Sequence, residues 1–255
     1  MMEMQCKLPS SALSRCERCL LEHKRDHTAG VDSVTAALLM INLYKADALL
    51  CMERVAECCQ YLSQTVRPKI QDVMQRPSST GTGDAVTQEI VDCHTQLLNN
   101  LAVVTACSSD IDAGISILRE GLQQYPDYLA VKFNLVLLLW RKGEQSTACS
   151  LWIKARAWHL QAEANGLDSQ RVVSTDVVAA STNTAVFPSA SHVISEHVQD
   201  SADGEGGVSA QQLAHLDALV LNYARKIKDS QLVDKSLELV ELLERFAPSN
   251  IPRLK

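Results

Sequence analysis

Aromatic side chains are scarce in this chain of 255 residues: Phe, Trp and Tyr together make up 4%. Sheets draw on aromatic and β-branched residues. Here the apolar share of 46% is weighted towards Leu, Ala and Val, a balance that suits helices packed on helices. Long apolar runs are missing too. No stretch reaches the roughly 18 uncharged apolar residues that a membrane span needs; the best, LAVKFNLVLLLW, is shorter and carries Lys132. The amino-terminal MMEMQCKLPSS lacks an apolar run followed by a cleavage site, so no secretory signal is expected. Positive charge is in deficit, with a net charge of −6. Phosphate backbones are held by clustered Lys and Arg, so nucleic acid is not the expected partner. A soluble, cytoplasmic protein is expected, with nucleus and cilium left open.

Cysteine is plentiful, but its nine positions are irregularly spaced and sit mostly inside apolar helical patterns. That is unlike the loop-rich framework of a small secreted domain, and reduced core thiols are the expectation. One cluster demands a closer look. The stretch CERCLLEHKRDH places Cys16, Cys19, His23 and His27 within twelve residues, in the order a zinc site would use. If residues 11–28 are helical, the four lie along one stripe, with Cys16 and His27 about 16 Å apart at ~1.5 Å per residue. One tetrahedral zinc cannot gather groups strung out so far. A packed helix stripe is the favoured reading and a zinc site the alternative; no cofactor is expected. Cys93-His94 is no dyad, because consecutive helical residues do not face each other. GTG at 81–83 lacks the Lys-Ser/Thr and the preceding strand of a phosphate loop. Trp140, Trp152 and Trp158 fit core packing between helices better than an aromatic surface.

Two breaks divide the chain. Residues 165–209 hold six acids and one base, a local −5, without a sustained apolar period, and read as a disordered acidic linker. RPSSTGTGD, residues 76–84, reads as a loop. Helices are expected over 11–28, 33–66 (stopped before Pro68), 86–107, 111–124, 128–141 and 145–163, with one or two more over 209–247. The expected organisation is therefore amino-terminal helices over 1–75, a repeat domain over 85–164 and a helical hairpin over 210–255.

The repeat is visible by superposing the chain on itself at an offset of 34. Asn100-Leu101 falls on Asn134-Leu135, the turn Ser109-Asp110 on Gly143-Glu144, Gly114 on Ala148, Leu118 on Trp152 and Gly121 on Ala155. Small side chains at such notches let helix axes approach closely while a bulky flank fills the space. Asn222, Ala224, Ser236 and Pro248 reproduce the spacing of Asn100, Ala102, Gly114 and Pro126; Asn42, Ala56, Ser63 and Pro68 reproduce more faintly that of Asn100, Gly114, Gly121 and Pro126.

Period and pattern over residues 95–161 resemble the tetratricopeptide repeat family, with Ala102, Gly114, Gly121 and Pro126 where that family's pattern places them. Leu160 in place of the second proline and Val136 in place of a small residue depart from it. The resemblance implies an all-α solenoid of antiparallel hairpins, acting as a non-catalytic adaptor or assembly subunit. Its concave face would take a peptide or protein, with Asn100, Asn134, Lys132 and Asn222 as candidate contacts. Asn99 and Val103 depart from the chaperone-clamp variety. A structural subunit whose apolar faces are covered by a larger complex is the second reading.

Overall fold

The structure, a computed structural model, describes residues 9–23, 31–75, 83–164, 208–227 and 229–246. Every element among them is helical, and none is a strand. The linker assigned to 165–209 lies outside the described residues except for its last two. The chain divides into two compact units, the first closing at Tyr125 and the second opening at Pro126. The division falls within 85–164, so the two helical pairs aligned in sequence by the offset of 34 belong to different units.

The first unit contains α1 (Pro9–His23), α2 (Val31–Cys51), α3 (Val55–Tyr61), a π turn (Leu62–Val66), α4 (Arg67–Gln75), α5 (Gly83–Cys107) and α6 (Ile111–Gln124). Its core gathers Leu43 and Leu49 of α2, Leu62 and Val66 of the π turn, Ile70 of α4 and Leu97 of α5, all essentially inaccessible to solvent. Two features correct the single helix expected over 33–66. The run breaks after Cys51, where Glu53 adopts a left-handed φ of 60°, and no glycine marks the spot. The helix then runs through Pro68 rather than stopping before it. Proline has no N–H and its ring collides with the carbonyl four residues back in a regular α-helix. The π turn widens the backbone just ahead of the ring, with the Arg67 N–H donating to the Leu62 carbonyl.

The second unit contains α7 (Leu129–Lys142), α8 (Gln145–Ala164), α9 (Ala210–Lys226) and α10 (Ser230–Phe246). A capping box starts α9: Ser209 Oγ accepts from the Gln212 N–H, and Gln212 accepts from the Ser209 N–H. Asp229 caps α10 by accepting from the N–H groups of Gln231 and Leu232 at 3.0 and 3.3 Å. Leu138, Leu139, Trp152, Leu160, Val220 and Leu239 form the interior.

The offset of 34 reappears in backbone geometry. Ser109 and Gly143, which correspond under it, both have left-handed φ, 78° and 92°. The Asp110 N–H donates to Thr105 O (3.3 Å) and the Glu144 N–H to Leu139 O (2.9 Å); Ser109 donates to Ala106 O and Gly143 to Trp140 O. These are the paired bonds of a Schellman turn, formed twice at matching positions. The corner at Glu53 makes the same pair, Arg54 to Leu49 O and Glu53 to Leu50 O. It lies two residues beyond the place set by aligning Asn42 with Asn100. The tail corner differs: Ile227 is extended, at φ −87° and ψ 141°, and the capping Asp229 arrives three residues ahead of Asp110's counterpart at Leu232.

The notch residues are interior. Gly114, Leu118 and Gly121 of α6 are buried, as are Ala102 of α5, Leu135 of α7, and Ala148, Trp152 and Ala155 of α8. Val136, the departure from the small-residue pattern, is also fully buried.

Candidate functional site

The four residues expected to contact a partner are placed in different settings. Asn100, on α5 of the first unit, is 4% exposed. Its side-chain amide donates to Asp47 Oδ1 of α2 at 2.8 Å, so it ties two helices together and does not line an open groove. Asn134, on α7 of the second unit, is likewise buried, at 3% exposure. Lys132 is half-buried and Asn222 exposed on α9. The period read from sequence aligned the two asparagines with each other, but it carried no signal for which way they face.

Asp47 is the unusual group of the first unit. Burial pushes its carboxyl up to about 7, against which the hydrogen bond from Asn100 favours the charged form. The thiol of Cys58 donates to Ala46 O at 3.2 Å and is pushed up to about 12, by burial first and by the Asp47 charge second. On the same α2, Asn42 Oδ1 accepts from Tyr61 Oη (2.6 Å) and Lys69 Nζ (3.1 Å). These polar groups hold helices together.

The amino-terminal Cys/His stretch is helical through His23, with Cys16 and Cys19 both half-buried. Burial raises the Cys16 thiol, and its neighbour Cys19 adds to the rise. His27 lies outside the described residues. No group of three or more His, Cys, Asp or Glu side chains that could hold a metal ion occurs among the described residues. Cys93 is buried, with its thiol pushed up to about 12 by burial. His94 turns elsewhere: its Nδ1 lies 2.9 Å from Tyr125 Oη, and the two rings meet edge-on.

In the second unit the three tryptophans have three fates. Trp152 is fully buried, edge-on to Phe133, and its Nε1 donates to Asp217 Oδ1 at 2.7 Å. Arg156 Nε meets Asp217 Oδ2 at 3.3 Å, both residues at or below 2% side-chain exposure. Burial raises the Asp217 carboxyl, and Arg156 is the largest influence opposing it. Trp140 packs edge-on to Tyr223 at 5.3 Å. Trp158 instead stands 46% exposed on α8, with Lys132 Nζ 4.9 Å from its ring centroid. The ammonium of Lys132 titrates below the usual lysine range because of burial, with Lys154 nearby adding to the shift and Asp127 opposing it. Leu237 on α10 is also exposed, at 57%.

Sequence reasoning missed the Asp217 pair and the outward Trp158. Asp217 was findable, since it interrupts the apolar spacing Leu213, Leu216, Val220. Trp158 was not, because an aromatic residue in a helical pattern ordinarily marks the core. No protein-family model, no curated protein and no solved structure matches this chain.

Proposed function

We propose that the chain is a non-catalytic interaction subunit, built of tetratricopeptide-like helical hairpins, that binds a protein partner through the outward face of its helices. The observation that carries this reading is the placement of Trp158 and Leu237. Each is a large apolar side chain turned to solvent on a helix whose opposite face is packed. Exposed aromatic anchors of this kind dominate binding energy at protein interfaces. Because Asn100 and Asn134 are buried, this reading assigns the partner contacts to Lys132, Trp158 and Leu237, with Asn222 on α9. Cytoplasmic placement is part of the same reading: Cys58, Cys93 and Cys149 are buried thiols outside any disulfide, which suits a reducing compartment.

Affinity purification of the full chain from cell extract, with and without the double substitution Trp158→Ala and Leu237→Ala, tests the proposal. Loss of co-purifying proteins from the folded double variant is the expected result. An unchanged partner set would refute the assignment. A covered structural subunit, the second reading from sequence, is favoured if the isolated chain self-associates through these residues and the double variant does not.

A further inference from the structure

The surface around Trp158 carries charge as well as apolar area. Lys154 and Trp158 stand one turn apart on α8 and share a face, and both are exposed. Lys132 reaches over from α7 to place its ammonium against the indole ring. Among the described residues, no carboxylate lies within ion-pair distance of Lys132 or Lys154. Asp127 is near enough to favour the charged form of Lys132, while Lys154 repels it. Two cations, neither in an ion pair among the described residues, therefore lie beside an exposed aromatic ring, in a chain whose net charge is −6.

We propose that this face takes an acidic peptide segment of a partner protein, with carboxylate groups at Lys132 and Lys154 and a neighbouring apolar side chain against the Trp158 ring. The proposal rests on the interaction-subunit reading and names the ligand chemistry for it. A carboxylate placed between the lysines offsets their mutual repulsion, so charge complementarity favours an anionic ligand over a neutral one. The ring supplies area that a purely ionic ligand would leave wet. Two lysines form an isolated pair of point charges, short of the run of cations that a nucleic-acid backbone requires. An acidic, partly apolar peptide meets all three conditions.

The test uses the full chain and an array of 12-residue peptides in which the number of Asp and Glu residues around a central Leu, Ile or Phe is varied. Wild-type protein is expected to retain the acidic members and to release their Asn/Gln counterparts. Binding should weaken roughly tenfold in Lys132→Gln/Lys154→Gln, and comparably in Trp158→Ala. Lys154→Gln alone, at an exposed position, keeps the test informative if substitution at half-buried Lys132 lowers stability. The proposal is overturned if the array selects no acidic peptides, or if the lysine variants select the same ones. It also falls if a single-stranded oligonucleotide outcompetes every acidic peptide, or if the face proves to be occupied by a second copy of the chain. Co-purifying partners that still depend on Trp158 while the array fails would leave the interaction-subunit reading standing and remove only the acidic ligand.

Discussion

Asp47 holds its proton to about 7 in the fold, whereas an unfolded aspartate releases its own near 3.9. Between those pH values the native state binds the extra proton, so this residue makes the first unit less stable as pH rises from about 4 to 7. Asp47→Asn removes the titration: its stability profile by urea denaturation should fall less steeply across that window than that of the wild type, and the variant should be the more stable one at pH 8. Asn100→Ala acts in the opposite direction. It strips the buried carboxyl of its donor and should cost about 1–3 kcal/mol, visible in the same denaturation curves. In the second unit, Asp217→Ala leaves the Arg156 guanidinium buried with no counter-charge, and its Nη1 already lacks a hydrogen-bond partner. A loss of about 3–5 kcal/mol is expected, and Arg156→Met/Asp217→Leu together should cost much less. Both acids could be singled out from sequence as charges inside apolar helical spacing. Their partners could not, since Asn100 and Arg156 lie 53 and 61 residues away along the chain and no local pattern encodes such a pairing.

At the scale of elements, the hairpin corners are the features most directly written in the chain. Gly143 supplies its left-handed φ without steric cost; Ser109 reaches nearly the same backbone with a side chain. Ser109→Gly should therefore stabilise the first unit by about 1 kcal/mol, and Gly143→Ala should destabilise the second by about 1–2 kcal/mol, both measured by chemical denaturation. The opposite signs at equivalent positions distinguish backbone strain from lost contacts, because no atom lies within 4 Å of a Cβ built at Gly143. These corners were legible because the offset of 34 aligned a glycine with a serine and placed an acid after each. The corner at Glu53 was illegible for the converse reason: the run from Lys45 to Met52 is apolar apart from Asp47, and only tertiary packing of α2 and α3 fixes where it turns. Pro68 misled in the other direction, since proline ends most helices and a π turn is rarely signalled by local sequence.

For the molecule as a whole, charge and exposed surface point the same way. The acidic balance of −6 and the presence of only two lysines, half-buried Lys132 and exposed Lys154, at the described face around Trp158 argue against backbone phosphate as a ligand there. The full chain should leave duplex DNA unretarded in a mobility-shift assay at 150 mM salt, roughly physiological ionic strength. Helical class was readable from composition, and the turns at Ser109 and Gly143 from the break in the apolar pattern. The surface expected to carry function was not, because equivalent asparagines on two helices can be inward or outward without changing the spacing of the small residues that define the repeat.

The π turn at Leu62–Val66 has a consequence for how the chain tolerates changes in length. A π turn accommodates one residue more than an α-helix uses between the same two ends, so the surplus is already absorbed there. Removing Gln64 and replacing Pro68 with Ala should leave Leu62 and Ile70 aimed at the same interior. An equal deletion in the middle of α5 would spin every later side chain by about a hundred degrees, carrying Val104 and its neighbours out into water.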